Sequence, residues 1–471
     1  MSKHTRNMKE KFSLRNAGKV VSIVAAIMYV IAVVMVINMH IVPVKYLVIG
    51  ILLTAIVMAG IVMGLFMRQT RRAVVIVLLL LSLLVIGVST YVISVSRSTS
   101  SFLEAIQQAE YTTEEYSVIA MKDRHIDLLQ AKQAALLQND PYRNNVTDAL
   151  KTVTSAAQKP YGDLTSAMIA LEGSQSDIAV LNAGYMQLLR DNYADFDSKI
   201  EVLTTLHVRV QHQTNTSNAS ATKPFVVYIS GIDTYGDIAS VSRSDVNMLA
   251  VVNPVTRKLL LVNTPRDYYV QLHGTSGTRD KLTHAGIYGI DMSRQTLGDL
   301  YGVNIDYYIR VNFTSLVNIV DTLGGVDVYS DVAFKSYRVG YNHMNGKQAL
   351  EFSRERYSFA AGDRQRGKDQ QRVIEAIIAK MSNAQNIVRY QALLGSLQGA
   401  LQTNMSSRLI EQLANKQLDD MKRWQTESIS VDGAGASAPT YSMGAQPLYV
   451  MVPDQQTVDA AKTKIGNYLA Q

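Results

Sequence analysis

The sequence predicts a membrane-anchored α/β protein with three N-terminal transmembrane helices, a helical accessory domain and an α/β domain whose mixed central sheet is flanked by helices. Three observations lead to this prediction. Three long apolar runs without charged residues stand near the N-terminus, and a polar stretch interrupts the chain near its middle. After that stretch, short runs typical of buried strands alternate with helical patterns, as expected for an α/β sandwich.

The apolar runs cover residues 20–37, 46–67 and 73–95, and each is close to the roughly 20 residues that a spanning helix needs. Basic residues flank these runs unevenly: six Lys or Arg lie in the first 19 residues, one in loop 38–45 and three in loop 68–72. Because cytoplasmic loops are enriched in Lys and Arg, we expect a cytoplasmic N-terminus and an extracellular region from about residue 97 to residue 471. The expected localisation is the cell membrane, with several spans.

Charge and cysteine content exclude several classes of function. Residues 1–96 hold ten Lys or Arg and one acid, whereas the other 375 residues hold 36 basic and 38 acidic residues. The basic surplus therefore belongs to the N-terminal segment, and the rest lacks the basic surface of a nucleic-acid-binding protein, so no nucleic-acid partner is expected. The absence of cysteine excludes disulfides, thiolate metal sites and cysteine nucleophiles.

The predicted organisation has four parts. The membrane segment, residues 1–96, precedes an accessory domain, residues 97–212, which should be mostly helical because residues 114–137 and 187–210 carry apolar residues at helical spacing. A polar linker, residues 213–222, leads to the α/β domain, residues 223–471, in which residues 225–381 form the core and residues 384–471 complete the fold. Its predicted strands are residues 225–229, 246–252, 258–262, 307–311, 326–329 and 448–452, and its predicted helices are residues 282–300, 315–323, 346–354 and 369–381, with a further helix at the C-terminus.

Two aspartates stand at the ends of neighbouring predicted strands. Asp233 follows the first strand of the α/β domain, and Asp245 precedes the second. Carboxylates at such strand ends can face the crevice where open α/β sheets bind ligands. Two of them suit Mg²⁺ that is also held by substrate phosphates. The alternative is that both aspartates only stabilise turns.

Basic residues gather in the predicted loops of the same domain. They are Arg243, Arg266, Lys281, Arg354, Arg356, Arg364 and Arg366. Guanidinium groups bind phosphate oxygens in pairs, so several converging arginines indicate a polyanionic ligand. The alternative for any one of them is a solvated charge at a helix end.

These residues lie in stretches that resemble the LytR–CpsA–Psr family. The stretches are YISGIDTYGDIASVSRSDVNML, NTPRD, DKLTHA and EFSRERYSFAAGDRQRGKDQQRVI, and they occur in the family's order over residues 225–381. Three spans followed by an insert resemble the streptococcal capsule branch, the CpsA proteins. One departure is the stretch before the paired glutamines, where Lys368 and Asp369 stand in place of the further arginines of many members.

The resemblance implies an extracytoplasmic phosphotransferase with the family's mixed-sheet sandwich fold. Such an enzyme moves a glycan, here expected to be capsular polysaccharide, from a polyprenyl-pyrophosphate carrier onto peptidoglycan with Mg²⁺, or with Mn²⁺ as an alternative. The implied metal ligands are Asp233 and Asp245. The implied pyrophosphate contacts are Arg243, Arg266, Lys281, Arg354, Arg356, Arg366 and Gln370, and the implied catalytic residues are Arg266, Asp245 and Asp363. The lipid bilayer and capsule assembly proteins are further expected partners.

Two other functions stay open on the sequence. One is a membrane receptor that binds lipid-linked saccharide and regulates capsule synthesis without catalysis. The other is a transcriptional attenuator, a role suggested by older names for the family. Turnover of a lipid-linked donor would distinguish the enzyme from the receptor. The side of the membrane on which the C-terminal domain lies would distinguish the enzyme from the attenuator.

Overall fold

The computed structural model describes residues 14–106, 111–211, 221–232, 238, 241–383 and 401–471. The chain forms two compact units, one comprising Met1–Glu104 and Ser407–Lys422 and the other Ala105–Ser406 and Arg423–Gln471. The helices are α1 (Leu14–Asn38), α2 (Val44–Phe66), α3 (Arg72–Ala105), α4 (Arg143–Leu150), α5 (Leu164–Glu172), α6 (Ala183–Asn192), α7 (Phe196–Lys199), α8 (Leu282–Ala285), α9 (Ile290–Tyr301), α10 (Phe313–Thr322), α11 (Gly346–Arg354), α12 (Asp363–Met381), α13 (Ser407–Asp420) and α14 (Gln455–Leu469). The strands are β1 (Tyr111–Met121), β2 (Gln133–Leu137), β3 (Ala157–Tyr161), β4 (Ile178–Asn182), β5 (Ile200–Gln211), β6 (Phe225–Ile232), β7 (Ser244–Asn253), β8 (Lys258–Thr264), β9 (Tyr269–Val270), β10 (Asp280–Lys281), β11 (Tyr307–Val311), β12 (Val326–Ser330), β13 (Gly340–Met344), β14 (Leu401–Thr403), β15 (Gln425–Ser430), β16 (Gly433–Thr440) and β17 (Gly444–Pro453).

The first unit contains three helices that are long and apolar enough to cross a membrane, which confirms the prediction of three apolar helices. These helices are α1, α2 and α3. The third continues about ten residues past its predicted end, to Ala105. Ser96, Thr99, Phe102 and Leu103 are buried along this extension. Their spacing of three to four residues places them on one helical face, so packing sustains the helix after the apolar run ends.

The same unit includes α13, which belongs to the C-terminal part of the chain. Lys45 Nζ lies 2.9 Å from Asp419 Oδ1. The amide of Asn415 donates a hydrogen bond of 3.0 Å to the carbonyl oxygen of His40. The loop between α1 and α2 therefore contacts a helix that is far from it in sequence.

The accessory segment is not the helical domain that its residue spacing predicted. It contains a five-stranded sheet in the order β3-β2-β4-β1-β5, with short helices between the strands. In β5, Leu206, Val208 and Val210 are buried, and the residues between them are exposed. This period of two is typical of a strand. The helical prediction was wrong because the run also contains apolar residues three and four apart.

The accessory sheet and the α/β domain share a hydrophobic core. Leu189 of α6 and Leu164 of α5 belong to the same buried cluster as Ile287, Tyr288 and Met443 of the α/β domain. Such a continuous core fixes the two parts against each other, because separating them would expose apolar surface to water.

The central sheet of the α/β domain has the strand order β14-β11-β6-β7-β8-β15. β7 runs antiparallel between β6 and β8, while β11 is parallel to β6 and β15 is parallel to β8. The C-terminal ends of β6, β8, β11 and β15 therefore share one edge of the sheet with the N-terminal end of β7. This mixed α/β architecture confirms the predicted fold class of the domain.

Helices cover both faces of this sheet. On one face, Leu297 and Tyr301 of α9 and Val458 and Ile465 of α14 pack into the sheet's main core. On the other face lie α10, α11 and α12, and the amide of Gln371 in α12 donates a hydrogen bond of 2.7 Å to the carbonyl oxygen of Ile429 in β15. The cavity described below lies between the sheet and these three helices.

Two predicted elements differ from the observed ones. The predicted strand 326–329 does not join the central sheet, because β12 pairs with β13, the next strand in the chain, in a separate two-stranded sheet. The predicted helix 282–300 is divided into α8, a 3₁₀ turn at Gly286–Tyr288, and α9. The break is at Gly289, whose φ of +103° is a conformation that side-chain-bearing residues rarely adopt.

Candidate functional site

Asp245 and Arg266 lie side by side at the edge of the central sheet. Asp245 is the second residue of β7, and Arg266 follows the end of β8, whose Thr264 is aligned with Asn247. Arg266 Nη1 lies 2.6 Å from Asp245 Oδ2, and both side chains are about 15% exposed. The hydroxyl of Thr283 donates a hydrogen bond of 3.2 Å to Asp245 Oδ1. Charge-assisted contacts with so little exposure hold both groups in place.

A second ion pair continues this row of alternating charges. Lys281 Nζ lies 2.9 Å from Asp267 Oδ1, and Arg266 Nε lies 3.9 Å from the same oxygen. Burial would raise the pKa of Asp267, but Lys281 and then Arg266 outweigh burial and lower this pKa below its ordinary value. Lys281 thus acts on the site through Asp267 and does not itself line the cavity.

A cavity of about 560 Å³ lies between this sheet edge and helices α10 to α12. Its cationic lining residues are Arg266, Lys335, Lys347, Arg354, Arg356 and Arg366. Its apolar lining residues are Ile229, Ile232, Val246, Val311, Phe313, Leu316, Leu350, Val373 and Ile374. Three carboxylates, from Asp245, Glu351 and Glu355, also line it, so positive charges outnumber negative ones. The volume is within the roughly 300–1,000 Å³ of small-molecule sites, and the lining suits a ligand with an anionic part and an apolar part.

Arg354 and Arg356 reach this cavity from one short segment. Arg354 is the last residue of α11, and Glu355 follows in an extended conformation. Alternate residues of an extended segment point the same way, in agreement with both arginines lining the cavity. The Arg354 guanidinium lies 4.2 Å from the ring centre of Phe313, and Arg356 donates a hydrogen bond of 2.7 Å to the hydroxyl of Tyr357. Aromatic neighbours thus orient both cations.

Glu355 organises the loop that follows. Its Oε1 atom accepts hydrogen bonds from the backbone N–H groups of Arg356, Tyr357 and Ser358 at 3.0, 2.7 and 3.0 Å. One carboxylate therefore satisfies three successive backbone donors. This contact fixes the path of the chain directly after α11.

The start of α12 supplies three more predicted site residues. Asp363, Arg366 and Gln370 are three and four residues apart and so lie on one face of the helix. Arg366 forms an ion pair with Asp363, and burial raises the pKa of Asp363 although Arg366 opposes this effect. Gly367 lets the helix approach β8, because a Cβ atom there would lie 2.4 Å from the amide nitrogen of Asn263. This close packing brings Arg366 to the same cavity as Arg266.

Two described residues of the predicted set, Arg243 and Lys281, do not line the cavity. The guanidinium of Arg243 is 13% exposed and forms an ion pair with Asp191, at the end of α6 in the accessory domain. Asp233 lies outside the described residues. The structure brings together the rest of the predicted set: Asp245, Arg266, Arg354, Arg356, Arg366 and Gln370 line the cavity, and Asp363 lines a smaller one beside it.

Four residues that contribute to this site were not predicted from the sequence. Lys335 and Lys347 line the cavity, Thr283 binds Asp245, and Glu355 holds the arginine-bearing loop. Thr283 lies in the stretch DKLTHA, which resembles the family, but no role was assigned to it, and Lys347 has no local signal. Glu355 could have been identified from its position between Arg354 and Arg356. If both arginines bind a ligand, the acid between them needs a different partner.

The side chains around Asp245 determine whether Mg²⁺ fits this site. Among the described residues, no group of three or more His, Asp or Glu side chains is placed to hold a metal ion. Asp245 nevertheless offers a carboxylate in a cavity lined by six cationic side chains. Mg²⁺ commonly takes one or two carboxylates and completes its shell with phosphate oxygens and water. The residues therefore fit a magnesium ion that is bound together with a phosphorylated ligand.

The chain is similar to proteins of one known family. The LytR_cpsA_psr family model matches residues 194–465, more than half of the chain. Polyisoprenyl-teichoic acid–peptidoglycan teichoic acid transferase TagU of Bacillus cereus is 31% identical over 286 residues, which cover 59% of this chain and 89% of that protein. TagU of Enterococcus faecalis is 32% identical over 213 residues, covering 44% of this chain and 66% of that protein. The crystal structure of B. subtilis TagV is 25% identical, with a TM-score of 0.45, over 53% of this chain and 98% of that one. The chain belongs to the LytR_cpsA_psr family.

Proposed function

We propose that the protein is an extracytoplasmic phosphotransferase that moves a polyprenyl-pyrophosphate-linked glycan onto peptidoglycan and releases polyprenyl phosphate. The observation that carries this proposal is a single cavity lined both by six cationic side chains and by nine apolar ones. The similar TagU proteins are named as transferases of polyisoprenyl-linked teichoic acid to peptidoglycan, which supports the reaction class. Capsular polysaccharide is the glycan we propose, with capsule assembly proteins as partners, because three spans before an insert resemble the capsule branch.

The donor would use both halves of the lining. Arginine guanidinium groups bind phosphate oxygens through paired hydrogen bonds, and Arg266, Arg354, Arg356 and Arg366 all reach the cavity. The isoprenoid chain would lie against the apolar residues between the sheet and α10 to α12. Burying apolar surface contributes about 25 cal/mol per Å², so this contact favours a lipid-linked donor over a free sugar phosphate.

The transfer step follows from this placement. A hydroxyl oxygen of the acceptor bonds to the phosphorus that bears the glycan, and the bond from that phosphorus to the oxygen of polyprenyl phosphate breaks. The guanidinium groups offset the charge that spreads over the phosphoryl oxygens in the transition state. Loose phosphoryl-transfer transition states need little base catalysis, so positioning and charge supply most of the rate.

Asp245, together with Asp233, would hold Mg²⁺, or Mn²⁺ in its place, when a pyrophosphate is bound. A bound divalent cation would supply Lewis-acid stabilisation of phosphate charge. The Arg266 guanidinium, 2.6 Å from Asp245 Oδ2, holds this carboxylate in place at the cavity.

The proposed topology places the α/β domain outside the cell. The six, one and three basic residues of successive N-terminal segments support a cytoplasmic N-terminus. The α1–α2 loop, which this topology places outside, contacts α13 through Lys45 and Asp419. Alkaline phosphatase fused after Gln471 should be active, and β-galactosidase fused there should be inactive. The opposite pattern would contradict the topology and the extracytoplasmic reaction.

The enzymatic proposal is tested by release of polyprenyl phosphate. Full-length protein in detergent would be incubated with a polyprenyl-pyrophosphate disaccharide and uncrosslinked peptidoglycan strands, with Mg²⁺, Mn²⁺ or a chelator. We expect metal-dependent release of polyprenyl phosphate, measured by mass spectrometry, together with a glycan-modified acceptor.

Arg190→Ala is a matched control, because it breaks an Arg–Asp pair, with Asp197 at 2.9 Å, away from the cavity. That variant should keep wild-type turnover, whereas Arg354→Ala should lose it. Donor binding without turnover under either metal would contradict the enzyme and favour a receptor for lipid-linked saccharide.

A further inference from the structure

A second, smaller cavity of about 210 Å³ adjoins the large one. The two cavities share Asp245, Arg266, Arg366 and Gln370, which therefore form a partition between them. The remaining walls differ in character. Polar side chains dominate the smaller cavity and include Asn263, Thr264, Asp363, Lys368, Ser430 and Asp432.

The order of the strands places the two cavities over different halves of the sheet. Asp245 belongs to β7, which lies in the middle of the sheet. The large cavity is lined by Gly231 of β6 and Val311 of β11, on one side of β7. The smaller cavity is lined by Asn263 of β8 and Ser430 of β15, on the other side. The partition thus separates the large cavity, which combines cationic and apolar side chains, from a smaller one with few apolar side chains, along the same sheet edge.

We propose that the smaller cavity binds the acceptor, as the site for the hydroxyl-bearing arm of one sugar of a glycan chain. This assignment rests on the proposed transferase function and adds the location of the second substrate. Phosphoryl transfer is roughly in line, so the attacking oxygen approaches from the side opposite the leaving group. Polyprenyl phosphate leaves toward the apolar side chains of the large cavity, and the smaller cavity lies across the partition from it.

The charges that line the smaller cavity nearly balance, so the lining suits a neutral polyhydroxyl group. The cations are Arg266, Arg364, Arg366 and Lys368, and the acids are Asp245, Asp363 and Asp432. The amide, hydroxyl and carboxylate side chains of this cavity offer both donors and acceptors to sugar hydroxyls. Its volume is below the roughly 300–1,000 Å³ of typical ligand pockets, so it would take one arm of a sugar while the rest of the glycan stays outside. Arg364 and Asp432 form an ion pair of 2.6 Å, and both are about half exposed, which places this pair at the rim.

Asp363 is the acid of the smaller cavity that lies next to the partition through its ion pair with Arg366. In the transfer step, the acceptor oxygen bonds to phosphorus, the bond to polyprenyl phosphate breaks, and the hydroxyl proton passes to the Asp363 carboxylate and then to water. No other co-reactant is needed. Of the other two acids, Asp432 is paired with Arg364, which is not a partition residue, and Asp245 belongs to the partition itself and is paired with Arg266.

The test compares two nucleophiles for the same donor. Water that replaces the acceptor would also release polyprenyl phosphate, so the ratio of glycan transfer to donor hydrolysis reports acceptor binding alone. Ala361→Leu and Ser430→Leu each narrow the smaller cavity at an exposed residue that does not line the large one. Both variants should raise the acceptor KM and lower the transfer-to-hydrolysis ratio by about tenfold, with the donor Kd within about twofold of wild type.

Leu316→Trp is the matched variant, because it narrows the large cavity, and it should affect the donor instead of the acceptor. It should raise the donor Kd and lower transfer and hydrolysis together. Ala361→Leu and Ser430→Leu variants that weaken donor binding, or that lower transfer and hydrolysis equally, would overturn the acceptor assignment. Wild-type protein that releases no polyprenyl phosphate with either nucleophile would overturn the proposed function, and this assignment with it.

Discussion

The ammonium group of Lys335 lies 2.5 Å from the Oε2 atom of Glu355, the residue between two arginines of the cavity. Lys335 also lies 3.1 Å from Glu351 Oε1. The hydrogen bond from Lys335 is the main cause that lowers the pKa of Glu355 to about 2. The carboxylate therefore stays ionised, and it keeps its three hydrogen bonds to the loop that carries Arg356.

Glu355→Gln should weaken donor binding although Glu355 is not itself a cation. The amide keeps the size of the side chain but loses the charge that pairs with Lys335 and strengthens the bonds to the loop. We expect donor affinity to fall about tenfold, because Arg354 and Arg356 lose a fixed position, and titration calorimetry with polyprenyl pyrophosphate would measure this. A lowered folded-state pKa stabilises the protein above the unfolded pKa of about 4, so the stability loss should be largest at neutral pH and shrink as pH falls toward 2.

Glu427→Gln provides the control for this substitution. Glu427 is also ion-paired to a lysine, Lys464, and also accepts a hydrogen bond, from the hydroxyl of Tyr468 at 2.9 Å. It does not line the cavity. An equal loss of donor affinity in both variants would show that Glu355 has no specific effect on the arginines.

Arg266→Ala should lower turnover far more than donor affinity. Loss of one donor to a developing oxyanion costs roughly 10²–10³ in rate. Loss of a charge-assisted contact in the ground state costs about 1.5–3 kcal/mol of binding free energy. Arg266→Lys should restore only part of the rate, because an ammonium group cannot present the paired donors that face Asp245 and a phosphate. Steady-state kinetics and donor titration measure the two quantities, and normal turnover in both Arg266→Ala and Asp245→Ala would contradict the site.

The central sheet was largely predictable because its signals are local. The strand Tyr307–Val311 and the helix Gly346–Arg354 have the bounds that the sequence predicts. Buried strands give continuous apolar runs, and α11 has a capping box formed by Asn345 and Gln348. The accessory sheet was not predictable in the same way, because Leu206, Val208 and Val210 alternate within a run that also fits a helix.

Residues of the site were predictable only where they lie in stretches that resemble a known family. Arg354, Arg356 and Arg366 reach one cavity, as that resemblance implied. The partner of Arg243 was not predictable, since Asp191 is 52 residues away in the accessory domain and no local pattern joins them. Lys335 was missed for the same reason, because its contact to Glu355 depends on how the β12–β13 connection packs against α11.

Arg243→Ala should affect donor affinity less than Arg354→Ala does. The guanidinium of Arg243 is engaged by Asp191, whereas that of Arg354 faces the cavity beside Phe313. Partly exposed ion pairs contribute about 0–1 kcal/mol to stability, so Arg243→Ala and Asp191→Ala should each lower stability only slightly. Titration of each arginine variant with the donor compares the two losses of affinity. An equal loss of affinity would mean that Arg243 leaves Asp191 to bind the pyrophosphate, as the family resemblance implied.

Asp369→Asn should stabilise the protein at alkaline pH. Asp369 lies on α12 and is 1% exposed, and its Oδ1 atom accepts a hydrogen bond of 3.0 Å from the amide of Gln365. Burial raises the pKa of Asp369 to about 7, against the opposing effect of this hydrogen bond. The folded state thus favours the neutral acid. Its contribution to stability is complete below the unfolded pKa of about 4 and is lost as pH rises through about 7, where a charge must be buried.

An asparagine at this position keeps the shape of the side chain and the acceptor for Gln365, and it never becomes charged. Thermal unfolding of the full-length protein in detergent should therefore show a higher Tm for Asp369→Asn than for wild type at pH 8, and a much smaller difference at pH 5. Asp327→Asn is the control, because Asp327 is 59% exposed and pairs with His343 at the surface. If the gain in Tm is equal at both pH values, or if Asp327→Asn gives the same gain, the effect does not come from the titration of buried Asp369.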